Sequence, residues 1–252
     1  MLPFIRLGPF LLQVPELTVV LGIFLGASQA EKEAKKLKLK PELINNLIYY
    51  GFFATIIGAR LAYALRYVDV YLDDPIALFS FSTTTLSITE GLIIGTLVSI
   101  FYRYRQKLPL RPTLDALVPG LAVFMVALAL SHFFAGSAYG SPTTVPWAIN
   151  LWGEQRHPTQ VYELIAAIAI FLLVRSNAFS RQTPGMNFLL TVALFATSRI
   201  LLEAFRGDSF VLPGGFRAAQ VAGLLVLFLA LLLMTTWENQ IGRANKETKT
   251  RL

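Results

Sequence analysis

Residues His132–Glu163 read HFFAGSAYGSPTTVPWAINLWGEQRHPTQVYE and lie between two long apolar runs. The stretch holds both histidines of the chain, two of its three tryptophans (Trp147 and Trp152) and a dense set of Gly, Pro, Ser and Thr. Loop residues and aromatic anchors at the edge of apolar segments suit a site that faces an amphiphilic substrate. Outward from it in both directions the chain reads as helices that hold this segment and a few buried charges in place.

The chain has 252 residues, 55% hydrophobic and 15% charged. A soluble domain of this length carries more charge. Apolar runs of roughly 20 residues recur throughout, the length a helix needs to cross about 30 Å of hydrocarbon. The expectation is an all-α polytopic membrane protein forming a single membrane domain over 1–252, with a short cytoplasmic tail at 238–252. Seven spans are expected, at Leu11–Ser28, Leu43–Leu65, Thr84–Tyr102, Leu114–Phe134, Gln160–Arg175, Met186–Phe205 and Phe216–Trp237. The chain has no cysteine, hence no disulfide, thiol nucleophile or Cys metal site. Its two histidines are not at ligand spacing, so neither a metal nor a cofactor is expected.

The net charge of +7 reflects basic loops on one membrane face, not nucleic-acid binding. Fifteen Lys and Arg fall after spans one, three and five and in the C-terminal tail, among them Lys36, Arg105 and Arg181. Four, Arg6, Arg156, Arg206 and Arg217, fall on the other side. This bias places the N-terminus outside and the C-terminus in the cytoplasm. GASQA (26–30) resembles a signal-peptidase site, but EKEAKKLKLK (31–40) follows at once, and such a basic block favours an uncleaved anchor.

Charges inside spans cost about 2.5–3.5 kcal/mol on insertion scales, so each needs a reason. Arg60, in GARLAYAL (58–65), either snorkels to the interface or faces a ligand. Arg199, Glu203 and Arg206, in SRILLEAFR (198–206), are spaced to share one helical face. That row either neutralises itself or turns a guanidinium, with its planar bidentate donors, toward a phosphate. Glu90, in SITEGLIIGTL (87–97), is expected to pair with an arginine, and Gly91 and Gly95 permit close helix contact. His157 precedes Pro158 at a helix start, as a base, a headgroup donor or a backbone-satisfied residue. His132, at the end of an apolar helix, is either a packed histidine or part of a site.

GARLAYAL, AGSAYGSPTTVPWAINL (135–151), RHPTQVYE (156–163), SRILLEAFR and Gln220 occur in the order and spacing of the prolipoprotein diacylglyceryl transferase family, which the chain resembles from about Gly8 to Gln220. Proteins of this family transfer diacylglyceryl from phosphatidylglycerol to the lipobox cysteine thiol of a pre-lipoprotein, with release of glycerol phosphate. The resemblance implies a multi-pass protein of the bacterial inner membrane whose partners are an anionic phospholipid and lipobox-containing pre-lipoproteins. It also implies that Arg199 matches the family's essential late arginine, with Glu203 and Arg206 beside it. Gly140 closes the central signature, and His157, Gln160, Tyr162 and Glu163 match the HPxQxYE element.

The chain departs from the family at three places. The signature arginine falls on Ala129, with His132 at the signature asparagine. The His-Gly-Gly or Tyr-Gly-Gly motif reads Thr89-Glu90-Gly91, and a tyrosine of span one falls near Pro15. Two functions follow. In an active transferase, Arg60 and Arg199 hold phosphate while His157 or His132 assists thiol deprotonation. In an impaired relative, the chain keeps lipid binding and serves as a subunit of a larger membrane complex. The three departures lead to the expectation of weak or absent turnover. A transporter is disfavoured, because no inverted repeat or paired broken helices are found.

The charge bias makes a direct prediction. In intact cells an impermeant thiol reagent should label Trp152→Cys and leave Lys36→Cys unlabelled; the reverse pattern would overturn the orientation.

Overall fold

The computed structural model describes residues 4–7, 10–79, 83–176 and 183–250. Strands β1 (Phe4–Leu7) and β2 (Phe10–Gln13) pair antiparallel ahead of α1 (Val14–Lys36). Then come α2 (Pro41–Arg66), the short α3 (Val68–Asp73), two 3₁₀ turns (Pro75–Phe79 and Thr83–Thr85), α4 (Ile88–Arg105) and α5 (Leu110–Ala135). A small antiparallel pair, β3 (Ile149–Leu151) and β4 (Glu154–Arg156), leads into α6 (Thr159–Arg175), α7 (Met186–Glu203) and α8 (Ala218–Thr250).

A long helix stands at each of the seven expected spans. The strands and α3 are additions that hydropathy does not signal. Four helical segments, α2, α5, α7 and Ala218–Gln240 of α8, are by length and composition able to cross a membrane. Of the other three, α6 has 17 residues, α4 carries Glu90, Arg103 and Arg105, and α1 ends in a charged turn. α8 runs on without a break through residues 238–250. Arg181 and Arg251, counted in the charge bias, lie outside the described residues.

Local signals explain the helix ends. α1 and α2 each begin with proline in the first turn followed by an acid (Glu16, Glu42) and end in basic residues, complementing the helix dipole. α5 ends at Gly136, whose left-handed φ of 69° reverses the chain. α7 has no side-chain cap of its own. Asp115 of α5 supplies one, accepting the backbone N–H of Gly185 at 2.5 Å and of Phe188 at 3.0 Å.

Small residues set the packing. Gly22, Gly26, Ala30 and Ala34 recur every fourth position along α1, one stripe of the helix. Gly22 meets Ala127 of α5, and Gly26 meets the Gly120 backbone. α2 and α4 approach in the same way: Gly95 faces the Gly51 carbonyl, and Gly91 faces Thr55 and Ala59. Close backbone approach through small side chains is how helices associate in lipid. Large apolar residues face outward instead, including Leu21 and Leu25 on α1, Leu92 and Leu97 on α4 and Phe228 on α8. α5 packs against α1, α6 and α7, and so carries the bundle's centre.

A Cβ on Gly26 would lie 2.8 Å from the Gly120 carbonyl oxygen. Gly26→Leu should therefore lower the melting midpoint in detergent, by about 1–3 kcal/mol or more in stability. Leu21→Ala, on the exposed face of the same helix, should leave the midpoint unchanged.

Candidate functional site

Glu163, in the first turns of α6, is the hub of a charged cluster. Its Oε1 accepts hydrogen bonds from Arg199 Nη1 and Arg206 Nη1, each at 2.9 Å. Its Oε2 lies 3.0 Å from Nδ1 of His132. An ionised carboxylate only accepts, so the His132 proton on this side sits on Nδ1. In neutral His132 that leaves Nε2 as an acceptor.

The two arginines are held differently. Arg206 gives Asp208 a bidentate pair, Nε to Oδ1 and Nη2 to Oδ2, both at 2.9 Å, and its side chain is 11% exposed. Burial alone would weaken the Arg206 charge; Asp208, with Glu163 and Glu203 behind it, outweighs that and holds its pKa above the ordinary guanidinium value. Arg199 is 37% exposed. Its Nη2 lies 2.9 Å from Oε2 of Glu203, a side chain 1% exposed. That contact is ionic, since the oxygen accepts no hydrogen bond among the described residues. A guanidinium has five N–H donors, so Arg199, which gives one hydrogen bond to Glu163, keeps more of them to spare than Arg206, which uses three on Glu163 and Asp208.

A cavity of about 420 Å³ opens beside this cluster between α5, α6 and α7. His132, Glu163, Arg199 and Arg206 line it with Met125, Leu128, Ala167, Phe195 and Leu202. Ala129, at the place of the family's signature arginine, lines it too, one helical turn from His132.

Next to the cavity, three chain segments are tied in a knot around Gly140. Backbone bonds run from Ser141 N to Phe205 O at 2.8 Å, Gly207 N to Tyr139 O at 2.8 Å and His157 N to Ser141 O at 3.1 Å. A side chain on Gly140 would overlap the His157 carbonyl. Thr159 donates to Ala138 O at 2.5 Å, and the fully buried Gln160 donates to Ser137 O at 2.9 Å. Arg217 donates to the carbonyls of Glu203 and Arg206 and to Ser209 Oγ, closing the end of α7.

The structure thus brings together His132, Arg199, Glu203 and Arg206 from the expected set. The Arg–Glu–Arg row meets as expected, but not on one helical face. α7 ends at Glu203, and Arg206 joins from the turn that follows. His157 does not line the cavity. Its ring packs against Phe205 at 5.2 Å and Tyr162 at 6.2 Å, with Nδ1 3.4 Å from the Tyr162 hydroxyl. Tyr162 accepts from Trp147 Nε1 at 2.6 Å. Gly140 and Gln160 belong to the knot. Arg60, buried on α2, points its guanidinium at the carbonyls of Ala77, Leu78 and Thr85, so it braces the α2–α4 connection away from the cavity. Glu90 is paired, with Arg66 at 2.5 Å.

Sequence reasoning matched Glu163 to a motif without making it the centre. A carboxylate early in an apolar helix was the available signal, since such a group requires cations nearby. Asp208 and Arg217 carry no such signal, because they sit in loop sequence.

An all-helical, multi-pass membrane protein with a buried acid–base cluster at the wall of a cavity is the class these features define. The model of the prolipoprotein diacylglyceryl transferase family matches residues 3–236, and the chain belongs to that family. It is 27% identical over 243 residues to the phosphatidylglycerol–prolipoprotein diacylglyceryl transferase of Trichormus variabilis, covering 90% of this chain and 86% of that protein. It is 26% identical over 234 residues to the like-named protein of Finegoldia magna, covering 91% and 92%. To that of Corynebacterium glutamicum it is 29% identical over 256 residues, covering 89% and 81%.

Removing one partner of a buried charge pair strands the others, at about 3–5 kcal/mol. Glu163→Ala should therefore lower the denaturation midpoint markedly. His157→Phe, which keeps the ring contacts, should leave it nearly unchanged.

Proposed function

We propose that this chain is an active phosphatidylglycerol–prolipoprotein diacylglyceryl transferase of the bacterial inner membrane, with seven crossings, its N-terminus outside and its C-terminus in the cytoplasm. The observation that carries the reading is one carboxylate, Glu163, that bonds to both His132 and Arg199 at the wall of a single cavity. A non-catalytic subunit of a larger complex is not favoured, since the family match spans nearly the whole chain and the compared relatives are named transferases.

In this reading Nε2 of His132 takes the proton of the lipobox thiol. Glu163 fixes the imidazole tautomer and stabilises the imidazolium that forms, the role a buried carboxylate plays beside a catalytic histidine. The thiolate sulfur attacks the glyceryl carbon attached to the phosphate oxygen. A C–S bond forms, the C–O bond breaks, and its electron pair leaves on glycerol phosphate, which collects the proton from His132. The free N–H donors of Arg199 hold the phosphate oxygens as charge builds. Arg206 and Glu203 keep Arg199 and Glu163 in position.

The charges of the cluster explain why direction matters more than net charge. Two arginines face the three carboxylates Glu163, Glu203 and Asp208. Once His132 is protonated, the formal charges balance. Phosphate binding therefore depends on the fork geometry of Arg199 rather than on surplus positive charge. His132 occupies the position of the family's signature asparagine. In this chain it supplies a titratable group one turn from Ala129, which compensates for part of what the missing arginine and the Thr89 and Pro15 departures remove.

The test is a purified-protein assay with phosphatidylglycerol and a lipobox peptide, alongside complementation of a transferase-depleted strain. The unmodified protein should turn over. His132→Ala should lose about 10²–10⁴-fold in rate. Arg199→Lys, which keeps the charge and the pairing, should lose about a hundredfold to a thousandfold. His157→Phe should stay active. No turnover by the unmodified protein, with lipid still co-purifying, would sink the proposal.

A further inference from the structure

A second cavity lies away from the one beside Glu163. It measures about 660 Å³ and sits at the opposite end of the bundle, among the last turns of α1 and α6 and the first turns of α5 and α7. It exists because α1 and α7 both pack on α5 while a gap stays open between them. Its floor holds Val118, Leu190 and Leu194, with Asn187 and Thr191 among them. Its rim carries Lys32, Lys36 and Arg175.

The acids at this cavity are already committed. Both oxygens of Asp115 accept backbone N–H groups of the α7 N-terminus. Glu33 is paired with Lys36 at 2.6 Å. Lys32 and Arg175 make no ion pair among the described residues. The lining carries three cations (Lys32, Lys36 and Arg175) against two acids (Glu33 and Asp115), so the mouth keeps a net positive charge above apolar side chains interspersed with Asn187 and Thr191. That is the complement of an anionic amphiphile, with the charges set at the end of the helices where a headgroup would lie.

We propose that this cavity binds an anionic phospholipid, with its phosphate held by Lys32 and Arg175 and an acyl chain laid along Val118, Leu190 and Leu194. In the proposed orientation it lies in the cytoplasmic leaflet, across the membrane from the reacting lipid. It is a holding site: no histidine lines it and its acids are engaged by Lys36 and by the α7 backbone, so its lipid is not consumed.

Native mass spectrometry of the detergent-solubilised full chain with phosphatidylglycerol tests this. The unmodified protein should retain two lipids. Lys32→Glu/Arg175→Glu should weaken one of them by about tenfold or more, with turnover of lipobox peptide and thermal midpoint unchanged. Leu190→Trp, which fills the floor without touching the charges, should weaken the same lipid. Phosphatidylcholine should not replace it, and 10-fold excess inorganic phosphate should not displace it. The proposal is overturned if the double variant still holds both lipids equally, or if phosphatidylcholine binds as well. Displacement by inorganic phosphate would mark a site for free anions instead. Loss of turnover together with the lipid would mean that the lost molecule is the substrate. Lipid counting does not require turnover, so an inactive protein that holds both lipids would defeat the proposed reaction and leave this site standing.

Discussion

A carboxylate inside an apolar bundle needs strong donors around it, and Glu163 has three from two other helices and a turn. The rest of the site follows from this requirement. α5 must bring His132 to one oxygen, and the end of α7 must bring two guanidinium groups to the other. The position of α6 is set by these bonds as much as by packing. The constraint also explains why the cluster extends outward to Asp208 and Glu203. Each arginine drawn in to neutralise Glu163 would carry excess charge into the interior without a carboxylate of its own.

The arrangement divides two arginines that look equivalent in sequence. Arg206 is spent on structure, with Asp208 filling its fork. Arg199 touches two carboxylates yet stays partly exposed at the cavity wall. A guanidinium pre-oriented by buried acids is poised to bind phosphate with little loss of side-chain freedom. The chain's departure at Ala129 leaves room in the same cavity and places His132 where it can act on a bound thiol.

The knot at Gly140 does different work. Residues 139–141, 156–157 and 205–207 cross within hydrogen-bonding distance, which only a residue without a side chain permits at the centre. It fixes the start of α6 against the end of α7, and so fixes Glu163 against Arg199 and Arg206. His157, Gln160 and Tyr162 support this junction. Their motif is legible in sequence as a unit, but these three act through the loop's shape, and only its last member, Glu163, turns into the cavity.

Much of the architecture could be read directly. Apolar runs of membrane length, proline and acid at helix starts, basic residues at helix ends and the left-handed glycine after α5 each act within a few residues, so hydropathy and local propensity report them. The i, i+4 spacing of Arg199 and Glu203 is local in the same sense, and their ion pair was foreseeable. Which long-range partners meet was decided only by tertiary packing. Whether Arg60 faces a ligand or a loop carbonyl, whether His132 or His157 reaches the cavity, and whether Glu163 serves α6 alone or three elements depend on how α5, α6 and α7 cross. Those crossings are tied by charges that find partners 31 to 43 positions away. Local propensity acts over a few residues, so although His132 and Glu163 are the two ends of one quoted stretch, their spacing along the chain does not pair them.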